Sequence, residues 1–595
     1  MQKFRTNSCG LVNKKLLNKE IALSGWVRRR RDHGGLIFIE LSDYSGNCQI
    51  VFKPENKDSF KIAEALRSEY VISVKGIILA RPEGTVNPEM ETGEVELEVS
   101  EIELISKSET PPFLIQDNIE AKEELRLKYR YLDLRRPEMQ KRLRLRHSIY
   151  KSVRNYLDSK GFCEVETPIL TKPTPEGARD FLVPSRISQG EFYALPQSPQ
   201  LFKQVLMCAC LDKYYQIVKC FRDEDLRANR QPEFTQIDLE MSFVDEKDIQ
   251  ELAENLVSKI WEDTLNYKVE LPLLRISYEE AMSRFGLDAP DMRFEMELVE
   301  LNEVFNKSDF KVFKDTLNAN GLIKAINAKN ASSFSRKEID ELTNYVKNYG
   351  AKGLAWLKYE QDEFKSSIVK FFSENELESI KKLLNVENGD LILFIADQEN
   401  ITNPALGNLR AHLAKKLDLI DENSYRFLWV EKFPLFEHSP ELGRYVSVHH
   451  PFTSPLEEDL DNLESDTSKG DISKVRARAY DIVLNGQEIG GGSIRIHNSE
   501  VQSKIFNLLG ISKEEARKKF GFLLDALSFG APPHGGIALG LDRIAMILNN
   551  VDSIRDVIAF PKTQRGQDLM VSAPTGASVE QLMELGIRLN EKKPN

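Results

Sequence analysis

Cysteine is scarce in this chain, and long apolar runs are missing. Six cysteines among 595 residues give no disulfide framework, and Cys208 and Cys210 lie too close together for a zinc motif. No segment approaches the ~20 apolar residues that a membrane-spanning helix needs. The first ten residues, MQKFRTNSCG, lack the apolar core of a signal peptide. We therefore expect a cytoplasmic protein without a structural zinc site and without a membrane partner.

An excess of positive charge is also missing. The formal net charge is −12, which argues against a surface that is coated everywhere for nucleic acid. Arginine and lysine are nevertheless concentrated in two places, Arg28–Arg31 and Arg126–Arg154. The composition is that of a folded protein, and the length predicts roughly four domains. An acidic protein with confined basic patches suits a ligand that must bind and leave.

The first 106 residues have the pattern of a small β domain. Five strand-like runs alternate with turns, and a short helical segment, Phe60–Arg67, follows the third run. The predicted strands are Ile21–Arg28, Gly35–Leu41, Cys48–Phe52, Tyr70–Leu79 and Val95–Ile105. This order predicts the five-stranded barrel called the OB-fold, which stacks bases on aromatic side chains beside positive charge. Phe38 and the arginine run fit that use, although a core phenylalanine and a solvated arginine face would give the same pattern.

Two strands joined by a long charged loop form the most informative stretch. The strands are Tyr214–Phe221 and Phe234–Phe243, and the loop between them, Arg222–Pro232, has no glycine. Hairpins normally close through short turns rich in glycine and asparagine, so this loop suggests a binding device. Arg222 can hold a phosphate through two hydrogen bonds, and Glu224 can hold the Mg²⁺ that accompanies phosphates. A merely solvated loop remains the alternative for this stretch taken alone.

Two further segments accompany that hairpin. A basic helix, predicted over Glu120–Lys160, leads to a strand over Glu164–Leu170 that contains Pro168. Near the end of the chain, Gly540–Arg543 closes a strand and opens a helix, where phosphate binds favourably. In this order the three segments resemble motifs 1, 2 and 3 of the class II aminoacyl-tRNA synthetases.

Four more segments narrow the resemblance to the bacterial-type aspartyl-tRNA synthetases. These are Thr174–Asp180, Gln197–Lys203, His449–Ser454 and Gly490–Arg495. The resemblance covers essentially the whole chain, including an insertion over Arg293–Tyr425 that asparaginyl enzymes lack. An asparaginyl-tRNA synthetase, or a regulatory relative that keeps only the fold, are the rival hypotheses.

The resemblance implies a multidomain α+β fold. It has an N-terminal OB-fold barrel, a class II catalytic domain with an antiparallel sheet, and an inserted α/β domain. The implied boundaries are 1–106 for the anticodon-binding barrel, 107–130 for a hinge, 131–290 and 427–560 for the catalytic domain, 291–426 for the insertion and 561–595 for a C-terminal extension. We expect the insertion to be structural or to support tRNA binding.

The resemblance also implies an active site for ATP, Mg²⁺ and L-aspartate, with Arg222 and Arg543 as catalytic residues. The implied aspartate-binding residues are Glu176, Ser198, Gln200, Lys203, Arg222, Asp238, His449 and Arg495. The implied ATP-binding residues are Arg222, Asp223, Glu224, Gln231, Glu488, Gly540, Leu541, Asp542 and Arg543. The implied metal ligands are Glu224, Asp481 and Glu488. Ser198 and His450 could instead only support the side chains that line the site.

Two physical points bear on these assignments. Buried positive charge on Lys203 and Arg495, held by Asp238, would separate aspartate from asparagine, because a neutral amide would leave the cations unpaired. Asp481 and Glu488 are seven residues apart, which places them on opposite faces of one regular strand. A bend near Asn485-Gly486 is needed to bring both to a metal ion.

The barrel carries the residues that the resemblance assigns to tRNA. Arg29, Phe38 and Gln49 match anticodon-binding positions. His33 and Gly84 match enzymes that do not discriminate between tRNA(Asp) and tRNA(Asn), whereas discriminating enzymes carry Leu and a long basic residue there. We expect both tRNAs as partners, together with an amidotransferase that converts Asp-tRNA(Asn), and a homodimer through motif 1. An enzyme that charges tRNA(Asp) only is the alternative.

Overall fold

A computed structural model describes residues 4–173, 177–463 and 472–590. The chain divides into two compact units. The first comprises the residues up to His147, Leu226–Ala228 and Val551–Gly576, and the second comprises the rest. Within the described residues, no helix has both the length and the apolar character needed to cross a membrane.

The first unit begins with a closed five-stranded barrel, in the order β1-β2-β3-β5-β4. Alternate residues such as Ile37, Ile39 and Leu41 point into its core, and their neighbours face outward. The barrel and its helix confirm the predicted order of elements. Their bounds are β1 Glu20–His33, β2 Leu36–Asp43, β3 Gly46–Phe52, α1 Lys57–Ala65, β4 Val71–Ala80 and β5 Val95–Ser106.

The first strand is longer than the sequence predicted. Apolar alternation stops at Arg28, but pairing of β1 with β2 continues to His33 opposite Leu36. This outer part of the hairpin is exposed on its surface, so hydrophobic pattern could not reveal it. Its turn is Gly34-Gly35, with φ of 60° and 79°, a conformation that glycine adopts without strain. The arginine run, Arg28–Arg31, therefore lies within β1 and not in the connection between β1 and β2.

The helix predicted over Glu120–Lys160 is broken into three, α2 Glu123–Lys128, α3 Arg130–Asp133 and α4 Pro137–Ser159. The last helix starts at a proline, which suits a first helical position. Asp133 is fully buried and accepts hydrogen bonds from Arg130 and Arg136. Arg130 also donates to the carbonyl oxygens of Arg555, Ile558 and Ala559. Several arginines of the predicted basic surface therefore support the interior.

The second unit contains an eight-stranded sheet in the order β11-β17-β20-β21-β22-β10-β9-β6, antiparallel except at its two edge pairs. Ile237 and Leu239 lie on one face of the sheet and are fully buried. The strands are β6 Cys163–Glu164, β9 Lys213–Phe221, β10 Glu233–Ser242, β11 Leu274–Ser277, β17 Phe427–Glu431, β20 Ala479–Leu484, β21 Gln487–Ile494 and β22 His534–Gly540. The accompanying helices are α5 Gln200–Cys208, α6 Glu246–Leu265, α7 Tyr278–Phe285, α12 Ser499–Leu508, α13 Lys513–Ser528, α14 Leu541–Leu548 and α15 Val579–Glu584.

The edge strand predicted over Glu164–Leu170 is wrong in length. Only Cys163–Glu164 pairs, in parallel, with β9. Ile169 and Leu170 are outside the sheet and are 41% and 52% exposed. Pro168 has no N–H to donate, which fits an early end to the pairing. Two small hairpins complete the unit, from β7 Leu182–Pro184 with β8 Phe192–Ala194, and from β18 Phe436–Ser439 with β19 Arg444–Ser447.

The predicted insertion contains a separate five-stranded sheet, β12-β13-β16-β14-β15, with all pairs antiparallel. Residues 297–305 hold the short strand β12 and a turn, and residues 337–349 hold most of α9. The bounds are β12 Val299–Glu300, α8 Lys311–Asn318, β13 Leu322–Ala328, α9 Arg336–Lys347, β14 Ala355–Glu360, β15 Glu363–Lys365, α10 Glu374–Leu383, β16 Leu391–Asp397 and α11 Glu399–Lys416.

Candidate active site

One face of the eight-stranded sheet carries most of the predicted site. On β10, Asp238 and Glu240 point to this face, and the core residues Ile237 and Leu239, which alternate with them, point to the other face. The neighbouring strand β22 places Ala538 beside Asp238 and Gly536 beside Glu240. A Cβ on Gly536 would lie 2.1 Å from a carboxylate oxygen of Glu240, so only glycine leaves room there. The result is a charged floor beside very small neighbours.

Lys203 and Arg495 meet on this floor, as the sequence predicted. Each side chain is 2–3% exposed. Lys203 Nζ lies 2.6 Å from Asp238 Oδ1 and 3.3 Å from Glu240 Oε2. Arg495 comes from the end of β21, and its Nε and Nη2 donate to the two oxygens of Glu240 at 2.9 and 3.1 Å. Two cations and two acids are thus enclosed together.

Glu240 is a site residue that the sequence interpretation passed over. Asp238 was expected to hold both cations, but the carboxylate bonded to Arg495 is that of Glu240, which also reaches Lys203. Burial would raise the pKa of Glu240, but Arg495 and Lys203 outweigh burial and hold this pKa below its usual range. Glu240 alternates with Leu239 and Met241 and lies two residues from Asp238, which places both acids on one face of the strand, and this spacing was the available signal.

Asp238 differs from Glu240 in its balance of charge and burial. Burial raises the pKa of Asp238 even though Lys203 acts to lower it. Its Oδ2 is buried and accepts no hydrogen bond from the residues that the structure describes. This oxygen could therefore accept a hydrogen bond from a bound ligand.

Two histidines border the cation pair. His450 Nε2 lies 2.8 Å from Arg495 Nη1. His449 packs against Phe433, and its Nε2 is buried without a hydrogen-bond partner in the described part of the chain. Burial, followed by the positive charge of Arg495, lowers the pKa of His449 to about 4. Both imidazoles are therefore neutral near pH 7, since burial also holds the pKa of His450 well below its usual value.

Three other predicted aspartate-binding residues lie in or near α5. Gln200 opens that helix, and its Nε2 is buried without an acceptor among the described residues. Ser198 accepts a hydrogen bond from the backbone N–H of Gln200 at 3.3 Å, so it supports the start of the helix. Glu176 lies outside the described residues.

Arg222 follows directly after β9, where the sheet ends. Its guanidinium stacks over the ring of Phe234, 5.1 Å from the centroid, and its Nε is buried without an acceptor in the described part of the chain. The backbone N–H of Arg222 donates to Pro232, which closes the base of the loop. This side chain is held by stacking while its hydrogen-bond donors stay available for a phosphate.

The remaining predicted residues of this loop have different surroundings. Asp223 is exposed, and its backbone pairs with Arg179. Glu224 accepts a hydrogen bond from Arg230 at 3.0 Å. Gln231 is 1% exposed at the end of the loop. Glu224 is therefore engaged by an arginine of its own loop.

Arg543 lies in the first turn of α14, immediately after Gly540 ends β22, as predicted. Its Nη1 donates to the backbone oxygen of Glu488 and lies 3.6 Å from the Glu488 carboxylate. Asp542 is 3% exposed and accepts a hydrogen bond from the backbone N–H of Thr235, so its side chain joins the helix to β10. Leu541 is fully buried.

Asp481 and Glu488 lie on one face because a hairpin separates them. The turn Asn485-Gly486 joins β20 to β21, and Glu488 pairs with Val483, which shares a face with Asp481. The predicted bend is therefore confirmed. A bulge in this pair then places Gly491 opposite Asp481. Because of that extra residue, Arg495 shares a face with Glu488 although seven residues separate them.

The donor set at this hairpin fits a magnesium ion held by two carboxylates. A Cβ on Gly491 would lie 2.6 Å from Asp481 Oδ1 and 3.6 Å from Glu488 Oε1, so both acids converge over this glycine. Burial raises the pKa of Asp481, and the charges of Glu488 and Asp288 raise it further. A cation would relieve that repulsion. No cluster of three metal-binding side chains occurs in the described residues, and Mg²⁺ characteristically takes one or two carboxylates and completes its shell with phosphate and water.

The barrel gathers three of its predicted tRNA residues on one outer face. Arg29, Glu40 and Gln49 lie side by side across β1, β2 and β3, and Phe38 lies on the same face of β2. His33 is exposed at the end of β1, and Gly84 is exposed in a turn. Gly84 has φ of 83°, so a long side chain there would strain the backbone.

Family comparisons give the class of protein. Residues 122–564 match the model described as tRNA synthetases class II (D, K and N). Residues 21–105 match the model of the OB-fold nucleic acid binding domain. Together with the barrel and the sheet, these matches confirm the expected fold. The chain belongs to the class II tRNA synthetases.

Similar proteins narrow this further. An aspartate–tRNA(Asp/Asn) ligase of Syntrophotalea carbinolica is 57% identical over 586 residues, which cover 98% of each chain. An aspartate–tRNA ligase of Macrococcus caseolyticus is 55% identical, again over 98% of each chain. An asparaginyl-tRNA synthetase structure from Pyrococcus horikoshii has a TM-score of 0.60 and 20% identity, covers 95% of this chain and 99% of its own, and supports the fold alone. Within its class the chain is a member of the aspartate–tRNA ligase family.

Proposed function

We propose that this enzyme attaches L-aspartate to tRNA through an aspartyl-adenylate. The observation that carries this proposal is the enclosed pair Lys203 and Arg495, on the sheet face that also presents Asp481. Lys203 and Arg495 offer buried, positively charged N–H donors on this face. Such donors bind the side-chain carboxylate of aspartate more favourably than the neutral amide of asparagine.

The chemistry has two steps. In the first, an oxygen of the aspartate α-carboxylate bonds to the α-phosphorus of ATP, and pyrophosphate leaves. In the second, a ribose hydroxyl at the tRNA 3′ end attacks the acyl carbon, and AMP leaves. Arg222 neutralises negative charge that develops at the α-phosphate, and Arg543 binds the γ-phosphate. No protein nucleophile is required, because the work is positioning and charge stabilisation.

Magnesium would be held by Asp481 and Glu488, and it would supply positive charge to the phosphates of ATP. Glu224 was expected as a third ligand, but it is paired with Arg230 in the structure. For Glu224 to reach a metal ion, that ion pair must open. The side-chain packing around Asp542 and Leu541 suggests that these two contribute to the ATP site through the backbone at the start of α14.

We infer further that both tRNA(Asp) and tRNA(Asn) are substrates. His33 and Gly84 support this, and so does the similarity to the aspartate–tRNA(Asp/Asn) ligase of Syntrophotalea carbinolica. We expect purified enzyme to aspartylate both tRNAs at rates within about ten-fold of each other, which corresponds to a difference of about 1.4 kcal/mol or less. Charging of the two transcripts with radiolabelled aspartate measures this directly.

Two controls sharpen that test. The double variant His33→Leu with Gly84→Lys should lose tRNA(Asn) preferentially and keep tRNA(Asp). Wild-type enzyme that charges only tRNA(Asp) would establish the alternative, a discriminating aspartate–tRNA ligase. If tRNA(Asn) is charged, an amidotransferase must convert Asp-tRNA(Asn) before it is used in translation.

We also propose a homodimer formed through the motif 1 region. Ile169 and Leu170 are apolar and exposed beside the edge strand β6, which supports burial against a second copy. Sedimentation equilibrium should give about twice the chain mass of 68.1 kDa. The variant Leu170→Glu should shift the enzyme toward monomer, because a charge would be buried at the interface. A stable wild-type monomer at micromolar concentration would contradict the proposal.

A further inference from the structure

Arg28 occupies an unusual position in the barrel. Val27 pairs with Leu41 and Arg29 pairs with Glu40, so Arg28 is the extra residue of a β-bulge. A bulge changes the direction of a side chain. Arg29 is exposed on the barrel surface, whereas the Arg28 side chain is 14% exposed and extends to Glu69. Arg28 therefore does not belong to the predicted nucleic-acid surface.

Glu69 is also bonded to a second arginine, Arg135, which lies between α3 and α4. We call the segment from α2 to the start of α4 the linker. Its side chain is 2% exposed, and its two oxygens lie 2.6 Å from Arg28 Nη1 and 2.9 Å from Arg135 Nη1. Arg28 Nη2 also donates to the backbone oxygen of Arg135 at 3.2 Å. The Arg135 guanidinium stacks over Trp26 of β1, 5.2 Å from the ring centroid. We call Arg28, Glu69 and Arg135 the Glu69 lock.

The backbone of Glu69 is fixed as firmly as its side chain. Its φ is 65°, a left-handed conformation that residues other than glycine rarely adopt. Its N–H donates to Val27 at 2.7 Å, immediately before the bulge. Strained backbone of this kind persists where surrounding structure determines it, and it often marks a functional constraint. The lock therefore combines a bulge, a left-handed residue and a shared carboxylate at one point.

The lock connects the barrel with the linker at a point to which the apolar core of the barrel does not extend. The barrel core consists of residues from Cys9 to Val99, with partly buried neighbours up to Leu104, and includes no residue of the linker. Arg135 lies between α3 and α4, beside the buried Asp133 cluster. The Glu69 carboxylate bridges the two arginines, one to each oxygen, and these charge-assisted hydrogen bonds fix direction as well as distance. Its geometric role is to set the angle of the barrel on the linker.

We propose that the Glu69 lock positions the anticodon-binding barrel, and that tRNA charging depends on it while adenylate formation does not. This inference rests on the proposed function. A tRNA must engage the barrel and the catalytic residues together, so a barrel that is free to reorient lowers the effective concentration for the second contact. The predicted ATP and aspartate residues that the structure describes all belong to the second unit, whereas the three lock residues belong to the first. The three lock residues are positioning residues.

The test uses the full-length enzyme with two variants on opposite sides of the lock. Arg135→Gln removes the linker arginine but leaves the Arg28–Glu69 pair in the barrel. Glu69→Gln removes the shared charge at nearly constant size. For both, we expect the KM for tRNA to rise at least ten-fold, with aspartate-dependent ATP–pyrophosphate exchange within two-fold of wild type. Arg135→Lys, which keeps a charge, should recover part of the loss.

A matched control is Glu20→Gln, which removes an exposed ion pair with Lys75 from the same barrel. This variant should behave as wild type in both assays. Thermal unfolding of all variants separates loss of the barrel from loss of its orientation, and Arg135→Gln keeps the test valid if Glu69→Gln fails to fold. If folded Arg135→Gln charges tRNA with a wild-type KM, the lock has no positioning role. Absence of aspartate-dependent exchange in the wild type would instead refute the proposed function.

Discussion

Replacing Arg222 with alanine should lower aspartate-dependent ATP–pyrophosphate exchange by about 10²–10³-fold, the size of effect seen when a preorganised charge-stabilising donor is removed. Arg222 is stacked on Phe234 and has a buried Nε without an acceptor in the described residues, so its donors are preorganised for a phosphate. Exchange assays at saturating ATP and aspartate measure the effect without tRNA.

Arg227→Ala is the matched control for this variant. Arg227 lies in the same loop but is exposed, so exchange should stay close to the wild-type rate. Arg222→Lys keeps the charge but not the planar fork of donors, and it should fall between the two. Near-normal exchange by a folded Arg222→Ala enzyme would contradict the assignment of this residue to the α-phosphate.

Replacing Glu240 with glutamine should damage both stability and aspartate binding. Glu240 is fully buried, and it compensates Arg495 and Lys203 together. Removal of one partner from such a buried set costs about 3–5 kcal/mol, because a charge is left uncompensated. We expect a lower urea midpoint for the transition that involves the second unit, and a KM for aspartate at least ten-fold higher. The KM for ATP should change little.

Asp238→Asn provides the comparison. Burial raises the pKa of Asp238 whereas that of Glu240 is lowered, so the charged form of Asp238 is the less stabilised of the two, and asparagine replaces it at nearly the same size. The loss of stability should therefore be clearly smaller than for Glu240→Gln. The opposite ranking, or a Glu240→Gln enzyme with normal stability and normal KM for aspartate, would show that the charge balance of this site is not as described.

Sequence pattern predicted the elements whose periodicity is strong. The five barrel strands, the two strands around the Arg222 loop and the strand-to-helix junction at Arg543 are all confirmed. The bend near Asn485-Gly486 was predicted because the family resemblance assigned two acids, seven residues apart, to one metal site. These features depend on local alternation and turn residues, which a single sequence carries.

The features that were missed depend on contacts between distant residues. The outer half of β1 consists of charged and polar residues and is held by backbone pairing, so no alternation of apolar and polar residues marks it as a strand. Glu240 lies in a strand of alternating polar and apolar residues, and its role depends on Arg495, far along the chain. The basic linker looked like a surface because no local pattern reveals that Arg130 and Arg136 are turned inward toward Asp133. The amino-acid sequence gives charge, but only the fold decides whether that charge meets solvent or protein.

The bonds between Arg130 and the segment Arg555–Ala559 also bear on how the chain is made. Arg130 and the carbonyl oxygen of Ala559 are 429 positions apart in the chain. During synthesis on a ribosome the barrel can fold early, since domains generally fold as units, with the N-terminal ones first, while the chain grows by about 5–20 residues per second. Arg130 must then wait about 20–90 s until its last carbonyl partners are synthesised. The contacts of Arg130 are therefore among the last in the enzyme to form, although Arg130 lies in the first quarter of the chain.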